Sequence, residues 1–432
     1  MSKTAAPALA AALASRTRFY YGWVVLAALC CAGFARQGSA VATLSIFVEP
    51  LTREFGWSRA SLSGAVSLGG LAAALVAPLI GPLLDRRGSR LVLGGAVLLN
   101  GIALMLLSLT PSLLFFYLLF CVARMNWAGP FDLGIYGALN NWFVERRRLA
   151  TSIGTLAQMS GLVALPLVAQ FAIGHGGWRG AWLAIGALTL LVGFVPCWLF
   201  LARRPEDLGL KPDGATATAA GSGTPLPAEP RFSRAEALRT PAFWLLMLYT
   251  VLVYPVQAGV SLHQASHFVE RGIRPIEAAA IVATFSLFSG VAAVLCAALP
   301  RRVPARFALA FAGVLLATGV MLMTAIGAAR DGYVAGAVFG LGIGAILTLL
   351  PVAWADYFGR ANFGAIRGLA LSAQVIAQAA GPLVSGALRD ATGDYGLSLR
   401  CFAALALASV AAALAARRPR LATAGGSAAS AT

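Results

Sequence analysis

Charge is scarce in this chain. Only 11% of its 432 residues are charged, against about 25% in an ordinary soluble domain. With 59% hydrophobic residues and a mean hydropathy of +0.80, a protein dispersed in water is excluded. Acidic residues are scarcer still, 16 against 33 lysines and arginines. No G-x-x-x-x-G-K-[ST] run occurs, which removes direct use of ATP through a phosphate-binding loop. The six cysteines (Cys30, Cys31, Cys121, Cys197, Cys296 and Cys401) all lie inside apolar runs. Their spacing fits neither a zinc site nor a disulfide frame, so they are expected to be small buried apolar residues. No convergent set of nucleophile, base and acid is visible, so neither an enzyme nor a cofactor is expected.

What the chain has instead is twelve apolar runs, each about 20 residues long, the length with which a helix crosses a bilayer core. They start near Gly22, Ser61, Leu91, Leu113, Leu149, Trp178, Ala242, Ile276, Phe307, Gly332, Ala365 and Ser398. Lipid cannot satisfy backbone polar groups, so spanning segments are helices or a closed barrel. Barrel strands are shorter and alternate apolar with polar; these runs do neither. The expected fold is an all-α membrane protein with twelve transmembrane helices.

A net charge of +17 invites a nucleic-acid partner, but its distribution does not. With both termini on one side, 23 of the 33 lysines and arginines fall in tails and loops on that side. Eight fall on the other, and Arg36 and Arg124 lie within spans. This is the positive-inside bias. It puts both termini in the cytoplasm, with the basic face against anionic headgroups of a plasma (inner) membrane. Residues 5–14 are short and alanine-rich and are followed by Arg16 and Arg18. They read as part of a disordered tail rather than a signal peptide.

The chain is also written twice. At an offset of about 216 residues, Glu54-Phe55-Gly56-Trp57 aligns with Glu270-Arg271-Gly272-Ile273, and Arg90 with Arg306. Leu165-Pro166-Leu167-Val168 aligns with Gly381-Pro382-Leu383-Val384, and Trp142-Phe143 with Tyr357-Phe358 one residue out of step. Two pseudo-symmetric six-helix halves are expected, 21–201 and 241–416. A tail at 1–20, a cytoplasmic linker at 202–240 and a disordered tail at 417–432 complete the chain. Repeats of this kind place a binding site near the midplane, where the halves meet. Residues 215–230, rich in Ala, Gly, Thr, Ser and Pro, read as flexible. Ser233 with Glu236 three residues on predicts the capping box of a short surface helix.

One turn between apolar runs is especially informative: Gly81-Pro82-Leu83-Leu84-Asp85-Arg86-Arg87-Gly88-Ser89-Arg90. Its pattern, G-x-x-x-D-R-x-G-x-R, resembles the loop between the second and third helices of major facilitator superfamily transporters. Further segments narrow the resemblance. They are Tyr20-Tyr21-Gly22-Trp23, Glu54 to Ala60, Trp142-Phe143 with Arg146 to Thr151, and Arg203-Arg204-Pro205-Glu206-Asp207-Leu208-Gly209. Together these are similar to the monocarboxylate and oxalate/formate porter branch. The resemblance implies alternating access, with Asp85, Arg86 and Arg90 as inner-gate contacts. Relatives in that branch often carry a basic residue in span eight or eleven. Here span eight has none, and span eleven has only Arg367 at its inner end, with Ser372, Gln374 and Gln378 further in.

Charges inside a span are rare and usually functional. Arg36 in span one and Arg124 in span four each lie about 11 residues from the outer end, roughly 17 Å deep at 1.5 Å per residue. Spans one, four, seven and ten resemble the family's cavity-lining helices. Two guanidiniums at one depth would clamp a carboxylate; alternatively, one pairs with Asp132 or caps a broken helix. Asp132, about 12 Å along from Arg124, needs another partner, water or a proton. A buried carboxylate is suited to proton coupling, with a packing or gate contact as the alternative. In span seven, Pro255 is expected to break the helix near midplane, where Tyr254 and Gln257 could orient a ligand. Asn126, Tyr136, Gln374 and Gln378 are lesser ligand candidates. His263 and His267 read as an outer gate or an interfacial pair; no third metal ligand accompanies them, so no metal site is expected. Gly340-Leu341-Gly342-Ile343-Gly344 lies inside span ten and reads as close helix packing.

These readings converge on a monomeric secondary transporter of small organic anions, monocarboxylates foremost, coupled to protons, with membrane lipids around it. A proton-driven exporter of amphipathic compounds is the alternative. A receptor on a transporter scaffold would bind ligand without flux.

Overall fold

The computed structural model describes residues 8–214, 230–300 and 302–419, and no strand occurs among them. The flexible linker expected at 215–230 lies outside the described residues except for Pro230, as does the tail from Arg420 onward. Among the described residues, eleven helices are long and apolar enough to cross a membrane, and one of them, Arg147–Phe200, has 54 residues. It crosses twice. The reversal falls at Gly176 and Gly177, where Gly177 takes a φ of 66°, a left-handed conformation that glycine adopts without steric cost. Twelve spans result.

Span one is Gly22–Phe55. Spans two and three are Arg59–Arg87 and Ser89–Leu106. Span four runs Leu113–Trp142, and spans five and six share Arg147–Phe200. Spans seven to nine are Pro241–Glu270, Pro275–Ala298 and Ala305–Thr324. Spans ten to twelve are Ala329–Phe358, Phe363–Thr392 and Gly396–Ala415. Large apolar side chains such as Leu75, Leu79, Ile276 and Leu383 cover the outside, while Trp142, Trp182 and Trp354 are fully buried. That is the pattern of a bundle solvated by lipid.

The two halves meet where span two packs on span eleven and span five on span eight. A shift of six spans turns span two into eight and eleven into five, so these are one contact repeated. Small residues let the helices approach closely. A Cβ on Gly81 would sit 2.1 Å from the Gly364 carbonyl oxygen. In span ten, a Cβ on Gly344 would sit 2.1 Å from Ser289 O, so the Gly340–Gly344 stretch is helix packing. Gly81→Val is therefore expected to cost about 1–3 kcal/mol by overpacking, read as a lower unfolding midpoint in detergent. Gly95→Val, which meets nothing within 4 Å, should change it little.

The end of the bundle that carries both described termini is tied across the halves. Asp85, at the end of span two, accepts from the backbone N–H of Gly364 (2.9 Å) and Ala365 (2.7 Å) at the start of span eleven. A carboxylate there also suits the helix dipole. Arg147 donates to Asp356 at 2.5 Å, and Arg148 to the carbonyls of Pro300 and Val303 at 2.7 Å each. Arg360 reaches Asn141 O at 2.9 Å and Glu206 at 2.5 Å.

The stretch joining the halves is anchored on both sides of its undescribed middle. The Asp213 carboxylate accepts three backbone N–H groups, from Val144, Glu145 and Arg146. Beyond Pro230, Phe232 N donates to Phe358 O, and Asn362 Nδ2 donates to Phe232 O. The capping box forms as expected: Ser233 Oγ accepts from Glu236 N and Glu236 Oε2 from Ser233 N. The backbone N–H of Ser233 holds the Glu236 carboxyl below its usual range.

A broken-helix site with three arginines and one carboxylate

Two spans are interrupted near the middle of the bundle. Span one is a helix to Arg36, a 3-10 turn at Gln37–Ser39, then a second helix from Val41. Ala40 between them is extended, with ψ 155°. The loosened carbonyls find side chains: Thr43 Oγ1 donates to Gln37 O at 2.7 Å. Span four stops at Ala128 and restarts at Pro130, with Gly129 at φ −112°, ψ −86°. Gly-Pro favours such a stop, because proline cannot donate and disfavours helical backbone before it. Both breaks fall at similar depth, Arg36 standing about 21 Å along its span at 1.5 Å per residue.

The breaks bring the charges together. Arg36 Nε donates to Trp127 O at 2.9 Å and its NH1 to Gln158 Oε1 at 2.8 Å. Arg36 lies 4.5 Å from the Trp127 ring centroid and Arg124 lies 3.9 Å from it. The indole Nε1 donates to Gln37 Oε1 at 3.3 Å. Trp127 thus joins the two breaks.

Asp132 sits in the first turn of the second half of span four, where the helix dipole favours a negative charge. It forms no pair with Arg124; its partners are Arg36 at 3.9 Å and Arg367 at 3.7 Å. Arg36, Asp132 and Arg367 are 6%, 7% and 1% exposed. Arg367, expected at the mouth of span eleven, is therefore part of the cluster, because its long side chain reaches inward from the helix end. Its NH2 donates to Gln374 Oε1 at 2.6 Å, while its Nε and NH1 are buried without an acceptor. The Nε and NH1 of Arg124 are in the same condition. Buried donors of this kind cost roughly 1–3 kcal/mol each when unmade.

The other candidates divide. Tyr136 accepts from Gln158 Nε2 at 3.4 Å, and Tyr254 interacts electrostatically with Arg367, Asp132, Tyr136 and Arg36. Gln378 Nε2 donates to Gln257 Oε1 at 3.0 Å, next to the cluster along spans seven and eleven. Asn126 is buried with its Nδ2 unpartnered. His263 stacks on Tyr395 at 5.3 Å, and His267 shares a hydrogen bond with Met323 O at 2.7 Å; both are away from the arginines. Arg90 is held by Trp198 of its own half, Nε to O at 3.0 Å. Pro255 does not break span seven: the helix runs unbroken from Pro241 to Glu270. Only one N–H is lost there, and Gly381 packs against the Pro255 carbonyl, so neighbouring span eleven supports the continuous helix.

Trp127, Gln158 and Gln37 were not candidates from sequence. Gln158 had a signal, a long polar residue inside an apolar run. Trp127 had a weaker one, three residues after Arg124 and beside Gly129-Pro130.

The sequence pattern of the Major Facilitator Superfamily matches residues 25–382. The chain is similar to monocarboxylate transporter 11 of Mus musculus, 27% identical over 395 residues, covering 88% of this chain and 83% of the relative. It is also similar to the membrane sensor protein UhpC of Salmonella typhimurium, 29% identical over 185 residues, 41% of each chain. Among solved structures, the proton:xylose symporter XylE bound to 6-bromo-6-deoxy-D-glucose superposes with a TM-score of 0.75 at 15% identity. That match covers 90% of this chain and 94% of the other, and it speaks to the fold alone.

Proposed function

This chain belongs to the Major Facilitator Superfamily, and from that premise we propose that it carries small organic anions, monocarboxylates foremost, by alternating access. It is an integral membrane transporter rather than an enzyme. One observation carries the anion reading: in the buried middle of the bundle Arg36 and Arg367 share a single carboxylate, Asp132, while Arg124 beside them stands over Trp127 with its Nε and NH1 unpaired. Uncompensated buried charge is costly, and an incoming anion supplies the compensation. Bidentate guanidinium donors suit a carboxylate. The likeness to a protein named monocarboxylate transporter 11 supports the same reading.

In this proposal Arg124 is the first anchor, since its Nε and NH1 have no acceptor. Arg36 orients from the Trp127 and Gln158 side, and Tyr136, Tyr254, Asn126, Gln257, Gln374 and Gln378 line the site. Asp132 carries the coupling proton. When it is neutral, Arg36 and Arg367 lose their partner and turn to the cargo. Proton and anion then assist each other, and by reciprocity anion affinity rises as pH falls. Asp85, bonded across the halves to the start of span eleven, is proposed for the inner gate together with Arg86 and Arg90, and His263 and His267 for the outer one. The basic bias of the loops supports cytoplasmic termini, halves at 21–201 and 241–416, and a cytoplasmic linker at 202–240.

The test is thermal unfolding of the purified protein in detergent with acetate, pyruvate and benzoate, at pH 5.5 and 7.5. A ligand at 100 times its Kd adds about 2.7 kcal/mol to the folded state. Stabilisation by one or more acids, larger at pH 5.5, is expected. A flat response to acids with shifts for apolar amines would overturn the anion reading in favour of the exporter.

A further inference from the structure

We infer that Trp127 is the positioning residue of the anion site: its indole holds the faces of Arg36 and Arg124, leaving the hydrogen-bonding edge of Arg124 for the cargo's carboxylate. The inference rests on the organic-anion reading above.

Three observations carry it. The guanidinium carbons of Arg124 and Arg36 lie 3.9 and 4.5 Å from the same ring centroid, well inside the roughly 6 Å of a cation–π contact. For Arg124, the ring contact coexists with buried Nε and NH1 atoms that have no acceptor. A guanidinium is planar, with all its N–H bonds in the plane, so stacking occupies its face and leaves its donors unspent. Third, Trp127 is itself fixed: its carbonyl accepts from Arg36 Nε and its Nε1 donates to Gln37 Oε1. The ring is therefore held by span one as well as by its own helix.

The chemistry follows from that geometry. An arginine bound edge-on by a protein carboxylate would have to exchange that partner for cargo. An arginine held by its face has no such exchange to make. The indole stabilises the buried cations without adding a negative charge that would repel an anion. On the other side, Gly69 gives the stem of Arg124 room; a Cβ there would lie 2.5 Å from Arg124 Cβ. Gly69 below and Trp127 at the head set where the guanidinium stands, so the residue pair aims the donor edge rather than the helix alone.

The experiment compares wild type, Trp127→Phe, Trp127→Leu and Arg124→Gln in full-length protein, titrated with acetate, pyruvate and benzoate. The readouts are Kd and tryptophan emission. Phenylalanine keeps a weaker π-face, and leucine keeps bulk without one. Expected is a graded loss of affinity, with leucine weaker than wild type by about 3- to 30-fold and phenylalanine between them. Carboxylate addition should change emission in wild type but much less in Trp127→Phe, a difference that a space-filling role would not produce. Uptake in proteoliposomes should show a raised KM with kcat little changed. Equal Kd values in wild type, Trp127→Phe and Trp127→Leu would overturn the inference; so would emission changes that persist in Trp127→Phe. If Trp127→Leu does not fold, the phenylalanine comparison decides by itself. Arg124→Gln separates the two claims. If it loses binding while both Trp127 variants bind normally, only the positioning role fails. If no acid binds wild type, or Arg124→Gln binds normally, the organic-anion reading fails and takes this one with it.

Discussion

Arg124→Gln should lower carboxylate uptake into proteoliposomes by about 30- to 1,000-fold at concentrations below KM, while the protein remains folded. The range corresponds to roughly 2–4 kcal/mol, the usual cost of removing one partner from a buried charge-assisted contact. Folding should survive because Arg124 has little structural employment. Its Nε and NH1 bond to nothing, and its recorded partner is the face of Trp127. Removing a buried charge that lacks a counter-ion relieves a cost rather than creating one. Arg36→Gln should behave differently. Arg36 holds Trp127 O, Gln158 and Asp132 at once, so its loss should lower the unfolding midpoint as well as the flux. The contrast is measurable in one preparation: uptake and melting fall together for Arg36→Gln, and uptake falls alone for Arg124→Gln. Unchanged uptake in both variants would remove the clamp from the mechanism.

How far the sequence reached depends on the kind of signal. Spans, their number and the repeat were legible because bilayer-length apolar runs and basic loops are long, redundant signals. The Ser233–Glu236 capping box was legible because a cap involves four consecutive residues. The site was half legible. Arg36, Arg124 and Asp132 stood out as charges within apolar runs, and the pairing of one arginine with Asp132, the alternative weighed there, is the one Arg36 makes; their other partners did not stand out. Arg367 was counted by the position of its Cα near the helix start, whereas its guanidinium stands 3.7 Å from the Asp132 carboxylate. Trp127 and Gln158 became visible only when the chain was folded, since their roles come from tertiary contacts across spans one, four and five. Proline misled in one place and was passed over in another. Pro255 suggested a break that Gly381 and the neighbouring helix make unnecessary. Gly129-Pro130 did carry a break, since glycine before proline removes both the donor and the helical preference. The physical difference is the residue before the proline: Tyr254 packs into the cluster, while Gly129 can take an unusual backbone conformation.

Asp132→Asn should abolish proton-driven accumulation while preserving anion binding. Asn keeps the size of the side chain and resembles its neutral form, so Arg36 and Arg367 are permanently released from it. Affinity for the cargo acid should then equal or exceed the wild-type value, and should no longer change between pH 5.5 and 7.5. Accumulation should vanish because no proton accompanies the anion. A one-unit pH gradient drives about tenfold accumulation through one coupled proton, since each factor of ten is worth about 1.4 kcal/mol. The expected ratio is therefore near ten for wild type and near one for Asp132→Asn, measured in vesicles with an imposed gradient. The stability of the variant gives an independent reading. Two buried guanidiniums, Arg36 and Arg367, without their shared carboxylate should lower the unfolding midpoint of the ligand-free protein, breaking a buried pair costing about 3–5 kcal/mol. A bound carboxylate should restore much of that loss, because it takes the place the side chain gave up. A pH-dependent affinity that persists in Asp132→Asn would move the proton to another group. A midpoint that no acid raises would show that Asp132 serves packing between the halves rather than cargo.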